Sequence, residues 1–224
     1  MKKFIFCLCF VNLVSSIEGL KVNPKTVGDF LNLHNLNDAV TFYCEVSPKD
    51  WVAAMRKEIK YFAIFDISSK TFKIKDTEAA MQLTVPRLGV NLDLTCNEAG
   101  KVLKEFSLLN YFNASYVWLM MSNDHDKATD LLKAQNINWD AEITLAICGD
   151  KEPIELFDIY NPNSKTNGKL ILKPKGSYKL ATGFNITLTG TKYDRRSNLE
   201  GAVIHTGLIG HQKNQTLIKY LESK

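Results

Sequence analysis

Past residue 19 the sequence contains no apolar run of the roughly 18–20 residues that a membrane-spanning helix needs, so that part is expected to be soluble as it stands. Charge of one sign is scarce: 28 Lys and Arg face 24 Asp and Glu, and a net +4 spread over 224 residues is too weak for a nucleic-acid footprint. Glycine (12) and proline (6) are few and scattered, which excludes collagen-like and low-complexity disordered chains. The motifs of common enzyme sites are missing as well. The turn Glu45-Val46-Ser47-Pro48-Lys49 holds no glycine for a dinucleotide fingerprint or a phosphate-cradling loop, and neither G-x-S-x-G nor H-E-x-x-H occurs. Neither an enzyme nor a cofactor is expected.

What is present begins with a leader. Met1-Lys2-Lys3 is positive, Phe4 to Val14 is apolar, and Ser15-Ser16 or Gly19 offers small residues for cleavage, so residues 1–19 read as a secretory signal peptide. Cys7 and Cys9 leave with it, and Cys44, Cys96 and Cys148 remain, an odd number in a disulfide-permissive route. No two of these three are close enough in sequence for a C-x-x-C motif. Three sequons fit export: Asn113-Ala114-Ser115, Asn185-Ile186-Thr187 and Asn214-Gln215-Thr216 are expected N-glycosylation acceptors.

The hydrophobic periods then alternate. Thr26 to Leu36 has helical spacing, and Ala39 to Cys44 is a β-branched and aromatic strand run. Ser47, Pro48 and Asp50 mark a capped helix start whose Trp51, Val52, Met55 and Ile59 share one face, and Tyr61 to Phe65 reads as a buried strand. Strand 88–94, helix 98–109, strand 116–121, helix 124–134 and strand 142–148 continue the series. The expected fold class is α/β: a mostly parallel sheet with helices on both faces, a single Rossmann-like lobe. Beyond Cys148 the period becomes two, over 154–160, 169–172 and 184–188, with turns expected at Asn161-Pro162-Asn163-Ser164 and Lys175-Gly176-Ser177, which gives a β-rich C-terminal extension.

All three cysteines of the mature chain fall at the carboxyl end of an expected strand, the edge where open α/β sheets hold ligands. The better reading is structural: two of them bridge neighbouring strands, Cys44 with Cys96 if any pair forms, or all three are buried fillers. Asp124-His125-Asp126 has the look of metal ligands, but directly after a strand its acids are better read as a helix cap and dipole partners. Phe62, Phe65, Tyr116 and Trp118 are core strand residues before they are a ligand box. Tyr193 to Gly201 is a polar connection in which Arg195-Arg196 is expected to be solvated, or a processing site, and Ala202 to Leu208 opens a new apolar strand.

Arg195-Arg196-Ser197-Asn198-Leu199-Glu200-Gly201-Ala202-Val203-Ile204 resembles the junction, in insect chemosensory ionotropic receptors, between the amino-terminal region and the first half of the ligand-binding domain. Leu88 to Cys96, Phe112 to Leu119, Leu156 to Asn161 and Gly168 to Ile171 are similar to the amino-terminal domain of the 75a type of that family. The resemblance implies the extracellular amino-terminal module of a variant ionotropic glutamate receptor, a ligand-gated cation channel subunit of olfaction, here without pore or complete ligand-binding domain. It implies residues 20–190 as the amino-terminal domain, 191–201 as a linker and 202–224 as the start of an incomplete ligand-binding domain. The implied partners are other ionotropic receptor subunits or a co-receptor, with no nucleic acid and membrane contact only through downstream segments. The implied location is the secretory pathway and the outer face of the plasma membrane. No ligand-binding, catalytic or metal residue carries over. A free secreted small-molecule-binding protein, holding its ligand near Cys44, Cys96 and Cys148, is the alternative.

Overall fold

The computed structural model describes residues 23–44, 48–82, 85–149, 152–163 and 168–197. The signal peptide, Ser47, Asn214 and the strand expected over 202–208 lie outside the described residues. Helix α1 (Pro24–Leu33) opens the fold, and strand β1 (Asp38–Tyr43), α2 (Pro48–Glu58) and β2 (Tyr61–Asp66) follow. A 3₁₀ turn (Ile74–Thr77) and the short α3 (Glu78–Met81) come next; no helix was expected there from the sequence. The alternation resumes with β3 (Leu88–Asp93), α4 (Ala99–Leu108), β4 (Tyr116–Ser122), α5 (His125–Lys133) and β5 (Glu142–Ile147). Strands β6 (Ile154–Tyr160), β7 (Ile171–Lys179) and β8 (Gly183–Ile186) and a one-turn α6 (Lys192–Arg195) complete the described chain.

The eight strands form one sheet in the order β2-β1-β3-β4-β5-β6-β7-β8. The first five are parallel and the last three add antiparallel, so the expected α/β fold with a β-rich extension is what the chain adopts, within a single sheet. The order 2-1-3-4-5 is doubly wound, with its switch point between β1 and β3. Local chemistry sets the helix ends. Asn23 caps α1 by accepting from the Lys25 amide, with Pro24 at the first position, and Asn35 (φ 54°) and Asn110 (φ 58°) end α1 and α4 in the left-handed conformation that Asn tolerates.

Two apolar layers flank the sheet. On one face α3, α4 and α5 bring Met81, Val102, Leu103, Phe106, Ala128 and Leu132 against Val90, Leu92, Trp118, Met120, Ile143 and Leu145. On the other α1 and α2 bring Val27, Phe30, Leu31, Trp51 and Met55 against Val117, Leu119, Met121, Ala146 and Leu156. The sheet curls until its last strands reach α1: Phe184 of β8 packs at a tilt against Phe30 with centroids 6.0 Å apart, and the hydroxyl of Tyr178 on β7 donates to Asp29 Oδ2 at 2.9 Å. The backbone also approaches closely at Gly89, where a Cβ would run into the Leu31 side chain, so α1 lies directly on β3.

Lys175-Gly176-Ser177 is not the expected turn. It lies inside β7, at a point where the β6–β7 register shifts: Leu156 faces Gly176 while Phe157 faces Pro174, leaving Lys175 as the extra, bulged residue. A bulge uses the same Gly-containing composition as a turn, and only the pairing partner distinguishes them. Gly176 has φ 149°, and a Cβ there would press into the carbonyl oxygen of Asn185 on β8. Gly176→Ala is expected to cost about 1–3 kcal/mol through that main-chain clash. Urea unfolding of the variant against the parent chain measures it, and an unchanged midpoint would contradict the close packing of β8.

Candidate functional site

At the carboxyl ends of the parallel strands, where ligands of doubly wound sheets bind, Cys44 after β1 and Cys96 after β3 are joined by a disulfide with Cα atoms 5.8 Å apart. The bond spans the switch point itself. Asp93, buried beneath it, accepts from the Thr95 amide at 2.9 Å and from the Thr95 hydroxyl at 2.7 Å. Cys44, Asp93 and Cys96 place three potential ligand atoms within 4.8 Å of one another, but two are sulfurs of the disulfide and cannot act as thiolate ligands. Cys148, after β5, is a free thiol pushed up to about 12 by burial and then by the charge of Asp93. Burial thus disfavours its thiolate, the form that attacks or ligates.

The other expected residues are dispersed. Asp124 caps α5, its Oδ1 accepting from the Lys127 amide at 3.0 Å, while His125 turns its ring edge to Phe157. Asn113 lies between α4 and β4, its Nδ2 donating to the Asn110 carbonyl and its Oδ1 accepting from the Ser115 amide. Asn185 is exposed on β8.

The concentrated chemistry is on the face covered by α1 and α2. Strand pairing lines up Thr41, Asn91, Leu119, Thr144, Asp158 and Lys173 as direct neighbours across β1, β3, β4, β5, β6 and β7, so a mostly polar row crosses this buried face. Asp158 is 1% exposed and Arg196 is 0% exposed. The Arg196 guanidinium grips it as a fork, with Nη2 at 2.7 Å from Oδ1 and Nε at 3.4 Å from Oδ2. Nη1 donates to the carbonyls of Trp139 and Ala141, both at 2.7 Å, and the group lies 4.4 Å over the Tyr160 ring.

The backbone of the same segment is also held. Trp139 Nε1 donates to the Arg196 carbonyl at 3.1 Å, Lys173 Nζ to the Arg195 carbonyl at 2.8 Å, and Thr191 with Asp194 closes a capping box at the start of α6. The expectation of a solvated Arg pair is therefore corrected: Arg196 is a buried side chain, and Arg195 keeps its Nη2 at 3.6 Å from Asp158 Oδ2. Pattern reasoning missed the anchor because its three pieces, residues 139–141, 158–160 and 196, are far apart in sequence. A signal existed, since Asp158 interrupts an apolar strand run at a position whose side chain must face the core, and a buried carboxylate needs a cation.

Glu142, at the start of β5, joins this anchor to α1. Lys192 Nζ lies 3.3 Å and Arg87 Nη2 3.8 Å from Glu142 Oε2. Burial pushes the Glu142 carboxyl up, but Lys175, Lys192 and His34 outweigh it and hold the group below its usual range. Buried Lys175 donates to Thr144 Oγ1 at 2.7 Å and is itself held below the ordinary lysine range by burial. His34, just past α1, is lowered to about 4 by burial and then by Lys175, with Arg87 adding to the effect and Glu142 opposing it. Its Nε2 is buried without a hydrogen-bond partner.

A face built this way fixes the position and direction of the chain at residue 197. No helix among the described residues is long and apolar enough to cross a membrane.

Comparison with known proteins gives a family. The model described as ionotropic receptor 75a N-terminal matches residues 21–209. Ionotropic receptor 75a of Drosophila sechellia is 29% identical over 152 residues, and that of Drosophila melanogaster 25% over 152. Each match takes in 60% of this chain and 23% of the relative, so the chain spans about a quarter of the length of these proteins.

Two outcomes follow from the geometry. Arg196→Ala leaves Asp158 buried and unpaired and is expected to cost about 3–5 kcal/mol in urea unfolding, and Arg196→Lys, which keeps the charge but loses the fork, about 1–3 kcal/mol. For His34 the unfolded chain binds the proton near 6.5 and the folded one near 4, so its share of stability is complete above pH 6.5 and is lost as pH falls toward 4. Melting temperature is expected to fall over that window, by an amount equivalent to about 1–3 kcal/mol, and His34→Gln to flatten the slope there.

Proposed function

The chain belongs to the ionotropic receptor 75a N-terminal family, and from that premise we propose that it is the extracellular amino-terminal module of a chemosensory ligand-gated cation channel subunit. The observation that carries this reading is the family match over residues 21–209, which takes in every described element and continues past the Arg196 anchor. A disulfide between β1 and β3 suits an oxidising compartment, in keeping with a secretory leader and a position outside the cell.

The module's work is mechanical and associative. It folds as a domain on one side of the Arg196–Asp158 anchor and hands the chain on, at a fixed place, to whatever follows. Its partners are other ionotropic receptor subunits or a co-receptor. It makes and breaks no bonds: the edge where an α/β enzyme would assemble its groups is occupied by the disulfide, the Asp93–Thr95 turn and a protonated Cys148. The same occupancy argues against a free secreted small-molecule binder.

The test is a transplant. Residues 1–201 of this chain replace the corresponding region of Ionotropic receptor 75a of Drosophila melanogaster, carrying an extracellular epitope. Surface labelling and stimulus-evoked current are expected at a level comparable to the parent receptor, with the stimulus profile of the host unchanged. A chimera that folds and oxidises its Cys44–Cys96 pair but never reaches the surface, or reaches it without current, overturns the reading.

A further inference from the structure

The two ends of the sheet are finished differently. β8 is four residues long, includes Gly183 and the exposed Asn185 of a sequon, and lies against α1. β2, at the other end, is Tyr61-Phe62-Ala63-Ile64-Phe65-Asp66: six residues with no proline and no internal lysine. Among the described residues its one strand partner is β1. Tyr61 is 59% exposed, and Phe62, Ala63, Ile64 and Phe65 are only partly buried. Among the described residues no proline, bulge or internal lysine blunts this edge, and its charges sit only at the two ends.

The direction of its free hydrogen-bonding groups is fixed. The Tyr61 amide donates to the Asn37 carbonyl and the Ile67 amide to the Tyr43 carbonyl, so odd-numbered residues point their backbone groups toward β1. Because N–H and C=O alternate sides along a strand, Lys60, Phe62 and Ile64 present theirs to the edge that is open among the described residues, and Asp66 its amide, the Asp66 carbonyl accepting from the Ser69 amide and its Oδ1 from the Ser68 amide and hydroxyl.

We propose that this edge is a self-association surface on which β2 of a second copy of this chain pairs antiparallel, making one sheet continuous across two modules. Pairing through outward groups requires even residues opposite even residues. Among such registers, the one centred on Ala63 places Lys60 against the partner's Asp66 at both ends, and Phe62 against the partner's Ile64 at the two inner hydrogen-bonded positions. On the α3 side Tyr61 meets the partner's Phe65. A shift by two residues in one direction sets Asp66 against apolar Phe62. A shift in the other sets Phe62 against itself and Lys60 against Ile64, and leaves Asp66 without a cation. Charge complementarity therefore selects both the occupant and the register. The inference rests on the assembly role proposed above and gives it a surface. It is read from the chain in solution, so its failure is distinguishable from the failure of the receptor transplant.

The experiment uses the full chain secreted from insect cells. Light scattering after size exclusion is expected to show a dimer whose fraction rises with concentration. Lys60→Glu sets like charges opposite each other and is expected to weaken dimerisation at least tenfold, as is Asp66→Lys. Mixing the two variants restores opposite charges at both ends and is expected to recover a mixed dimer. Ala63→Cys places two thiols at the centre of the pair, where facing Cβ atoms approach closely, and is expected to give a covalent dimer on a non-reducing gel, lost on reduction. A monomer at all concentrations with no Ala63→Cys cross-link overturns the proposal. So does a dimer that Lys60→Glu leaves intact, because another surface then holds it.

Discussion

Asp158 places a carboxylate on the inner face of a sheet, and the arrangement of the second half of the domain answers that placement. A charge taken out of water in this way is tolerated only with a cation and with hydrogen bonds for the groups around it. Arg196 supplies the cation, Trp139 and Ala141 accept its remaining donors, and Tyr160 gives it an aromatic floor. To reach Asp158 the chain must return from β8, form the α6 turn and lie across the ends of β5, β6 and β7. That return fixes where the backbone lies at Ser197, the last of the described residues.

Opposite ends of the parallel strands have separate tasks. The carboxyl edge, where this topology usually keeps its ligand, is covalently closed at the switch point by Cys44 and Cys96, with a protonated thiol nearby. The amino-terminal edge carries the charges: Glu142 meets Lys192 and Arg87, while His34 and Lys175 press on it from α1 and β7. These charges join the first helix, the sheet and the last segment, and they set how stability responds to acid.

Much of this was legible along the chain. Helical spacing located α1, α2, α4 and α5, and short β-branched or apolar runs located β1 to β5, because a helix buries one stripe while central parallel strands such as β3 and β4 are buried on both faces. Asp124 reads as a cap for the same local reason, a carboxylate within reach of free amides. Lys175-Gly176-Ser177 did not read correctly, since glycine beside polar residues serves a turn and a bulge alike, and the choice was made by Asn185 on a neighbouring strand. Arg195-Arg196 read as a solvated pair because the side-chain contacts of Arg196 lie far off in sequence, at Trp139, Ala141 and Asp158.

The sequence alone determined most of the element types, the α/β class, the shift to a period of two in a β-rich extension after Cys148 and the resemblance to a receptor amino-terminal region. These depend on side chains close in the chain, where spacing is a sufficient guide. Tertiary structure decided which ends meet. Cys44 reaches Cys96 because β2 takes the outer position and leaves β1 and β3 as neighbours. Arg196 is buried because β6 turns Asp158 toward the face on which the last segment lies. Those outcomes follow from strand order and from the cost of an unpaired buried charge, and neither is a property of any short stretch of residues.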